Sequence, residues 1–306
     1  MFETIVLVTR KTRLEELTER FNTISQAKFY IEHAGGDFSA YTAEDEAYRR
    51  SFDLVRRSIE AGLKIQVMDR SLVPTYLFAG QELIVTLGQD GLVANTAKYV
   101  KGQPILAVNP NAARFDGVLM PYAPGDVAKA LEPALTGRAR SRAITLAEAT
   151  LNDGQRLLAF NDLFIGAASH ISARYRIRLG AQSEAHSSSG IIVSTGAGST
   201  GWLSSIFNET SAIAQFLGGA ALPPVRMSWE EQRLLFIVRE PFVSRQSQAG
   251  LVAGEIAGGT KLTLESQMPS AGVIFSDGVE ADRLEFNSGA IATIGIAPEK
   301  ANLLTK

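Results

Sequence analysis

Short apolar runs alternate with segments of helical periodicity over the first 140 residues. Strands are predicted at 4–8, 64–67, 82–87 and 104–108. Helices are predicted by the spacing of Leu14, Leu17 and Phe21, by that of Tyr48, Phe52, Val55 and Ile59, and over 126–135. Because strands that are separated by helical crossovers pair in parallel, we expect an α/β domain with a parallel sheet over residues 1–140.

The pattern changes after about residue 140. Short apolar or alternating runs then follow one another, with turn residues between them, at 156–160, 174–179, 190–195, 234–239, 261–265, 272–275 and 290–296. A helical stretch after Gly201 interrupts them. We therefore expect a β-rich second domain over residues 141–306, with a C-terminal tail that can return to the first domain.

One of these runs has strict period two and places three arginines, Arg174, Arg176 and Arg178, on one face of a strand. Apolar or aromatic residues occupy the other face. A solvated strand face is the ordinary interpretation of such arginines, and a phosphate-facing patch is the alternative.

The composition restricts the classes of function. The 306 residues carry 30 Lys and Arg against 32 Asp and Glu, so a net charge of −2 gives no general attraction to nucleic acid or anionic membranes. The absence of cysteine excludes disulfides, thiolate catalysis and cysteine zinc sites, and His170 and His186 lack metal-ligand spacing. We expect no protein-built metal site, no membrane span and no secretory signal, and hence a cytoplasmic protein.

A glycine-containing loop, Gly88-Gln89-Asp90-Gly91, follows the predicted strand 82–87 and precedes a segment that can open a helix. In a parallel sheet this is the carboxyl end of a strand, where ligands bind. Backbone N–H groups at such a turn can approach phosphate oxygens. An aspartate there suits a base that takes a proton from an attacking hydroxyl. Taken alone, the tetrapeptide also suits a structural turn in which Asp90 caps the helix.

A second glycine-rich loop spans 194–202, directly after the predicted strand at 190–193. Its hydroxyls and glycines suit contacts to a nucleotide, or equally a tight turn in which Ser199 or Thr200 caps a helix. The segment also resembles a nucleophile elbow, but all three histidines precede Ser199, and the α/β-hydrolase order needs the histidine last. The chain contains no P-loop motif, and no dinucleotide-binding Gly-x-Gly-x-x-Gly follows the first strand.

Together these loops resemble the NAD kinase family, whose signature is a Gly-Gly-Asp-Gly loop, an Asn-Glu pair and a Ser-Thr-x-x-Gly-Ser loop, in that order. The matching segments here are Gly88-Gln89-Asp90-Gly91, Asn161-Asp162 and 194–202. Similarity to the mitochondrial-type branch of the family extends to Lys11-Thr12-Arg13, Ser188-Ser189-Gly190, Arg239-Glu240-Pro241 and Asp277-Gly278.

The resemblance implies an α/β nucleotide-binding domain followed by a β-rich NAD-binding domain, self-associated as a homodimer or homotetramer. It implies phosphorylation of the adenosine ribose 2′-hydroxyl of NAD, with ATP or polyphosphate as donor and Mg²⁺ arriving with ATP. Asp90 would be the general base. The residues implied to contact the donor phosphates are Gly88, Gln89, Gly91, Lys11 and Arg13, and those implied to bind NAD are Asn109, Asn161, Asp162, Ser199, Thr200, Trp202 and Asp277.

Three residues depart from the family pattern. Gln89 replaces a glycine, and a positive φ at that position would cost on the order of 1–2 kcal/mol. Its side chain could also enter the space of the donor phosphates. Leu92 stands where threonine is usual, and Asp162 is one methylene shorter than glutamate. These departures leave two alternatives: a non-catalytic protein that binds NAD or a related nucleotide, and a kinase for another hydroxylated metabolite.

Overall fold

The computed structural model describes residues 2–60 and 62–306. Within it, the chain forms two compact units: one contains the residues up to Arg142 together with Asn302–Lys306, and the other is Ala143–Ala301. Among the described residues, no helix has the length and apolar character that crossing a membrane would require.

The first unit alternates strands and helices. Its elements are β1 (Thr4–Thr9), α1 (Arg13–Phe21), α2 (Ile24–His33), α3 (Ser39–Ser58), β2 (Lys64–Asp69), β3 (Glu82–Leu87), α4 (Asp90–Ala97), β4 (Pro104–Val108) and α5 (Val127–Leu135). The strands β1 to β4 form a parallel sheet in the order β2-β1-β3-β4. The predicted parallel sheet is therefore confirmed.

The core of this unit explains the predicted periodicity. Every residue of β3 is buried, and the apolar centre of β1 is fully buried as well. One face of α3 packs on the sheet through residues spaced at three and four, including Tyr48, Val55 and Ile59 just beyond its end. Helix α1 begins with a capping box in which Thr12 and Glu15 bond each other's backbone N–H groups.

The second unit is rich in strands. Its elements are β5 (Ser141–Leu151), β6 (Arg156–Ala159), β7 (Asp162–Ala167), β8 (Ala173–Leu179), β9 (Gln182–Ser188), β10 (Ile191–Ser194), α6 (Trp202–Phe216), β11 (Arg233–Val238), β12 (Ala253–Ala257), β13 (Leu262–Ser266), β14 (Gly272–Ser276), β15 (Val279–Glu285) and β16 (Ile291–Leu304). The β-rich character and the helical interruption after Gly201 are as predicted.

Two antiparallel arrangements of strands enclose the core of this unit. One has the order β12-β11-β10-β7-β14-β15, and the other contains β16-β13-β8-β9, with β5 beside β16 and β6 beside β5. Inward residues of both, such as Ile165, Val193, Ile177 and Leu264, form one buried cluster. The last residues of β16, Asn302 and Leu303, belong to the first unit and pair in parallel with β4.

The arginine face predicted for residues 174–179 is present on β8. Arg174, Arg176 and Arg178 are exposed, while Tyr175 and Ile177 are fully buried. In the register with β13, Arg176 lies opposite Glu265. The strand alternation is thus confirmed, and the three arginines lie on a solvated face.

Candidate functional site

The loop Gly88-Gln89-Asp90-Gly91 joins the end of β3 to the start of α4, at the carboxyl edge of the parallel sheet. Gln89 has φ −109° and ψ 169°, which is extended backbone that any residue adopts. Replacement of a glycine by Gln89 therefore introduces no left-handed strain. Gly88 donates its N–H to the carbonyl of Val108 at 3.3 Å, which ties the loop to the neighbouring strand β4.

Asp90 is the first residue of α4, and its half-buried carboxylate reaches a neighbouring loop. Its Oδ1 accepts a hydrogen bond from the backbone N–H of Leu119 at 2.8 Å. The N-cap residue is Gln89, which makes no side-chain capping bond. The carboxylate of Asp90 instead bonds the loop after β4. The helix N-terminus favours the ionised carboxylate at this position.

Asn109 follows β4, and its side chain organises the loop that continues to Leu119. Its Nδ2 donates to the carbonyl of Phe115 at 3.0 Å, and its Oδ1 accepts from the N–H of Asn111 at 3.0 Å. Gly117 passes so close that an added Cβ would lie 2.4 Å from Asn109 Nδ2. The buried amide of Asn109 therefore holds the loop whose Leu119 N–H bonds Asp90.

The two basic residues predicted to contact donor phosphates, Lys11 and Arg13, have different surroundings. Lys11 is exposed and pairs with Glu19 at 2.6 Å, and this hydrogen bond raises the pKa of Lys11. Arg13 lies against the buried carboxylate of Glu44, with its Nε 2.5 Å from Oε2. Arg10 also bonds Glu44, at 3.2 Å.

One face of α3 fixes the three strand-end loops of the first unit. Tyr48 donates its hydroxyl hydrogen to the carbonyl of Leu87 at 2.9 Å and accepts from the N–H of Arg10 at 3.1 Å. Burial raises the pKa of Tyr48 to about 12, so the hydroxyl keeps its proton near neutral pH. Ser51 donates to the carbonyl of Pro110 at 2.8 Å. The loops after β1, β3 and β4 therefore share one rigid support.

In the second unit, three of the segments on which the family resemblance rests lie together at the ends of neighbouring strands of the six-stranded sheet. Strand β7 begins at Asp162, which lies opposite Ser194 at the end of β10. On its other side, Leu163 lies opposite Ser276 at the end of β14, directly before Asp277. Sheet pairing thus brings together Asn161-Asp162, the glycine-rich loop and Asp277.

The carboxylate of Asp277 binds backbone N–H groups on the neighbouring segment. Its Oδ2 accepts from Phe160 at 2.9 Å, and its Oδ1 accepts from Asn161 at 2.6 Å and from Asp162 at 3.3 Å. Asp277 also has a positive φ of 53°, an uncommon conformation for a residue other than glycine. Asp277 thereby fixes the turn that presents Asn161 and Asp162.

Asp162 is a buried carboxyl group beside a second carboxylate. Only 9% of the residue is exposed. Burial, together with the negative charge of Asp277, raises the pKa of Asp162 to about 7. A strongly raised pKa of a buried carboxyl group beside a second carboxylate marks Asp162 as a candidate functional residue.

The glycine-rich loop is closely packed. An added Cβ on Gly196 would lie 1.9 Å from the carbonyl oxygen of Ser228, and one on Gly198 would lie 2.1 Å from that of Asn161. Neither glycine has a positive φ, so both are required by close packing. The hydroxyl of Ser199 donates to the carbonyl of Gly196 at 2.7 Å and is buried.

Thr195 joins this loop to the Asn161 segment. Its hydroxyl donates to the carbonyl of Phe160 at 2.6 Å and accepts from the N–H of Gly198 at 3.2 Å. Its N–H donates to the carbonyl of Asn161 at 2.9 Å. Thr200, by contrast, is exposed.

Trp202 begins α6 and packs on aromatic residues of the sheet. Its ring stacks on that of Phe164 at 5.9 Å and 7°, and Phe164 stacks in turn on Phe275 at 4.8 Å. The guanidinium of Arg239 lies 5.4 Å from the Trp202 ring centre. The half-buried indole is thus held rigidly beside the glycine-rich loop.

The sequence-based predictions missed Glu44, Arg10, Tyr48 and Arg114 as site residues. Tyr48 was assigned only to the apolar stripe of α3. Glu44 stands four residues before Tyr48, on the same face of α3. An acid at such a buried position indicates an oppositely charged partner within the fold. Among residues 2–60 and 62–306, no group of three or more His, Asp or Glu side chains is placed to hold a metal ion.

Two solved structures resemble this chain over most of its length. An NADH kinase from yeast, solved with NADH, has a TM-score of 0.57 and 16% identity, covering 100% of this chain and 84% of that chain. An NAD kinase from Archaeoglobus fulgidus, solved with ATP, has a TM-score of 0.55 and 16% identity, covering 98% of this chain and 93% of that chain. No protein-family model matches the sequence, and no curated protein sequence matches it. The chain therefore has the two-domain fold of these kinases.

Proposed function

We propose that this protein is an NAD kinase, which transfers a phosphoryl group from ATP to the adenosine ribose 2′-hydroxyl of NAD. The observation that carries the proposal is the position of Asp90, a carboxylate on the first residue of α4 at the carboxyl edge of the parallel sheet. The shared fold and the convergence of Asn161, the glycine-rich loop and Asp277 support it.

In this proposal Asp90 is the general base. Its Oδ1 is held by the Leu119 N–H, which leaves Oδ2 for the ribose hydroxyl. The hydroxyl oxygen attacks the γ-phosphorus of ATP, its proton passes to Asp90, and the bond to the β-phosphate oxygen breaks to release ADP. General-base assistance of this kind contributes roughly two to four orders of magnitude in rate.

We propose that NAD is bound by the second unit, with Asn161 and Asp162 as its polar contacts and Thr200 and Trp202 beside them. An ionised Asp162 accepts hydrogen bonds from hydroxyl groups, which suits a ribose. Asp277 and Ser199 act as positioning residues, since their polar atoms are bonded to the protein backbone. Asn109 acts in the same way within the first unit.

The phosphoryl donor enters as its magnesium complex, with Mg²⁺ as part of the substrate that neutralises charge on the transferring group. Backbone N–H groups of Gly88, Gln89 and Gly91 contribute to donor binding. Gln89 is exposed and its backbone is extended, so its side chain can turn to solvent when phosphates bind. We further propose membership of the mitochondrial-type branch, on the basis of the sequence segments that resemble it, and self-association in solution.

An assay of the purified protein tests this proposal. The protein is incubated with magnesium, ATP or polyphosphate, and NAD or NADH, and the product is measured with an NADP-specific coupled enzyme. Formation of NADP or NADPH is the expected result, and the active pair identifies donor and acceptor. Thermal stabilisation by NAD without any phosphorylated product would contradict the kinase and favour a non-catalytic NAD-binding protein. Light scattering on the same sample measures the oligomeric state.

A further inference from the structure

Three arginines surround one buried carboxylate in the first unit. Glu44 is 5% exposed in its side chain and lies 3.2 Å from Arg10, 2.5 Å from Arg13 and 3.3 Å from Arg114. We propose that Arg10, Arg13 and Arg114, assembled on Glu44, form a binding site for an oligophosphate chain. Arg13 is also expected from the sequence to contact the donor phosphates, whereas Arg10, Arg114 and Glu44 are not.

The cluster carries more positive charge than Glu44 can balance. Burial alone would raise the pKa of Glu44, but the hydrogen bonds from Arg13 and Arg10 and the charge of Arg114 lower it below its usual range. Glu44 is therefore ionised near neutral pH, and three guanidinium groups face one carboxylate. The adjacent acid Asp45 is engaged elsewhere, with Thr12 at 2.6 Å and Arg49 at 2.7 Å.

The hydrogen-bond donors of the cluster also exceed the acceptors. Each guanidinium has five N–H donors, whereas a carboxylate offers about four acceptor sites in total. The Nε of Arg10 is buried without a hydrogen-bond partner among the described residues, and Arg10 as a whole is only 9% exposed. A buried, unpartnered donor of this kind indicates a ligand that completes its hydrogen bonding.

The position of the cluster matches a phosphate site. Arg10 and Arg13 both follow the end of β1, and Arg114 lies in the loop after β4, so all three lie at the carboxyl edge of the parallel sheet. Tyr48 links the N–H of Arg10 to the carbonyl of Leu87, directly before the loop that carries Asp90. The side chains of Arg13 and Arg114 are 40% and 37% exposed and therefore accessible to a ligand.

Phosphate groups fit these donors better than carboxylates do. A chain of linked phosphates presents several adjacent anionic oxygens, and arginine binds phosphate oxygens in pairs through its planar fork. The ligand chemistry is thus an oligophosphate, supplied by a nucleoside triphosphate or by inorganic polyphosphate. The assignment of this cluster as the phosphoryl-donor site rests on the proposed function, whereas its binding of a phosphate chain does not.

Binding of tripolyphosphate to the full chain, measured by calorimetry, tests the site. Wild type is compared with Arg13→Gln and Arg114→Gln, and with Arg50→Gln as a control that removes an exposed arginine paired with Glu46 on α3. We expect the dissociation constant to rise by about tenfold or more in both cluster variants and to stay unchanged in the control. Unchanged affinity in both cluster variants, or no binding to wild type, would overturn the site.

Two further measurements separate this inference from the kinase proposal. Circular dichroism melting establishes whether each variant is folded. Arg13 and Arg114 are partly exposed, so if only one of the two cluster variants folds, that variant alone carries the test. ATP and long-chain polyphosphate are then titrated in parallel, together with adenosine, which has no phosphate group and whose binding the cluster substitutions should leave unchanged. Weakened binding of either polyanion supports the site even if no NADP is ever formed, and weakened binding of neither overturns it.

Discussion

Replacement of Asp162, a residue that is 9% exposed, by asparagine removes a carboxyl group that stands beside Asp277. Burial and the charge of Asp277 raise the pKa of Asp162 to about 7, whereas an aspartate in the unfolded chain titrates near 3.9. Between these values the folded protein holds a proton that the unfolded chain has released. The contribution of Asp162 to stability therefore falls as the pH rises from about 4 to about 7.

The size of this effect follows from the shift. Each pKa unit corresponds to about 1.4 kcal/mol, so the interval from pH 5 to a pKa of about 7 corresponds to about 3 kcal/mol. The wild type loses this free energy by pH 8, and Asp162→Asn does not, because an amide does not ionise. The ionised carboxyl that destabilises the fold is also the acceptor proposed for ribose, a combination common at functional sites.

Urea unfolding at pH 5 and pH 8 measures the effect. The two tryptophans of the chain, Trp202 and Trp229, both belong to Ala143–Ala301, so their fluorescence follows the unit that contains Asp162. Relative to wild type, Asp162→Asn should gain about 3 kcal/mol in free energy of unfolding between the two pH values. Asp53→Asn, which alters an exposed aspartate, should gain none. An equal difference for Asp162→Asn at both pH values would refute the buried-charge reasoning.

Two further substitutions test the packing of the site. Gly198→Ala places a Cβ 2.1 Å from the carbonyl oxygen of Asn161, so thermal unfolding should show a loss of about 3 kcal/mol or more in the free energy of unfolding. The control Gly80→Ala, with open space around it, should stay near wild type. Equal losses for the two variants would refute the packing role of Gly198. Tyr48→Phe leaves the N–H of Arg10 and the carbonyl of Leu87 without the hydroxyl that bonds them. It should lower the free energy of unfolding by about 1–3 kcal/mol, and it should also lower kcat. Unchanged urea unfolding would show that the bridging hydroxyl is dispensable.

The parallel sheet and most helices of the first unit were predictable, because buried strands and one-sided helices leave direct periodic signals, whereas the strand order was not predicted. Helix α2 was missed. Its apolar residues do not fall on one face, since Phe29 and Tyr30 are exposed while Ala27 and Ile31 are buried. Strand β9 was missed because its residues are mostly polar, and its pairing with β8 places it in the sheet.

The candidate site was predictable where neighbours in sequence form one loop, as around Asp90. It was not predictable where contacts join distant residues. The bonds between Asp277 and the turn at Asn161 cross more than 100 residues and depend on the pairing of β7 with β14. The conformation of Gln89 was likewise open, because glycine and an extended residue both fit a loop, and only the backbone shows φ −109°.

The glycine-rich loop illustrates a different limit. Its glycines and hydroxyls fitted direct nucleotide contacts and a tight turn equally well, because a glycine that permits ligand approach and one that permits protein packing look alike in a sequence. Gly196 and Gly198 are required by nearby backbone carbonyl groups, and the hydroxyl of Ser199 is bonded within the loop. The loop thus acts first by shaping the edge of the sheet.

The most direct test of the account is the rate of NADP formation by Asp90→Asn. The amide keeps an Oδ1 that can accept from the Leu119 N–H, so the fold should be retained while the proton acceptor is lost. We predict that kcat falls by roughly 10²- to 10⁴-fold, with the dissociation constant for NAD unchanged, and that Asp53→Asn behaves as wild type. An unchanged kcat in folded Asp90→Asn would contradict the assignment of Asp90 as the general base.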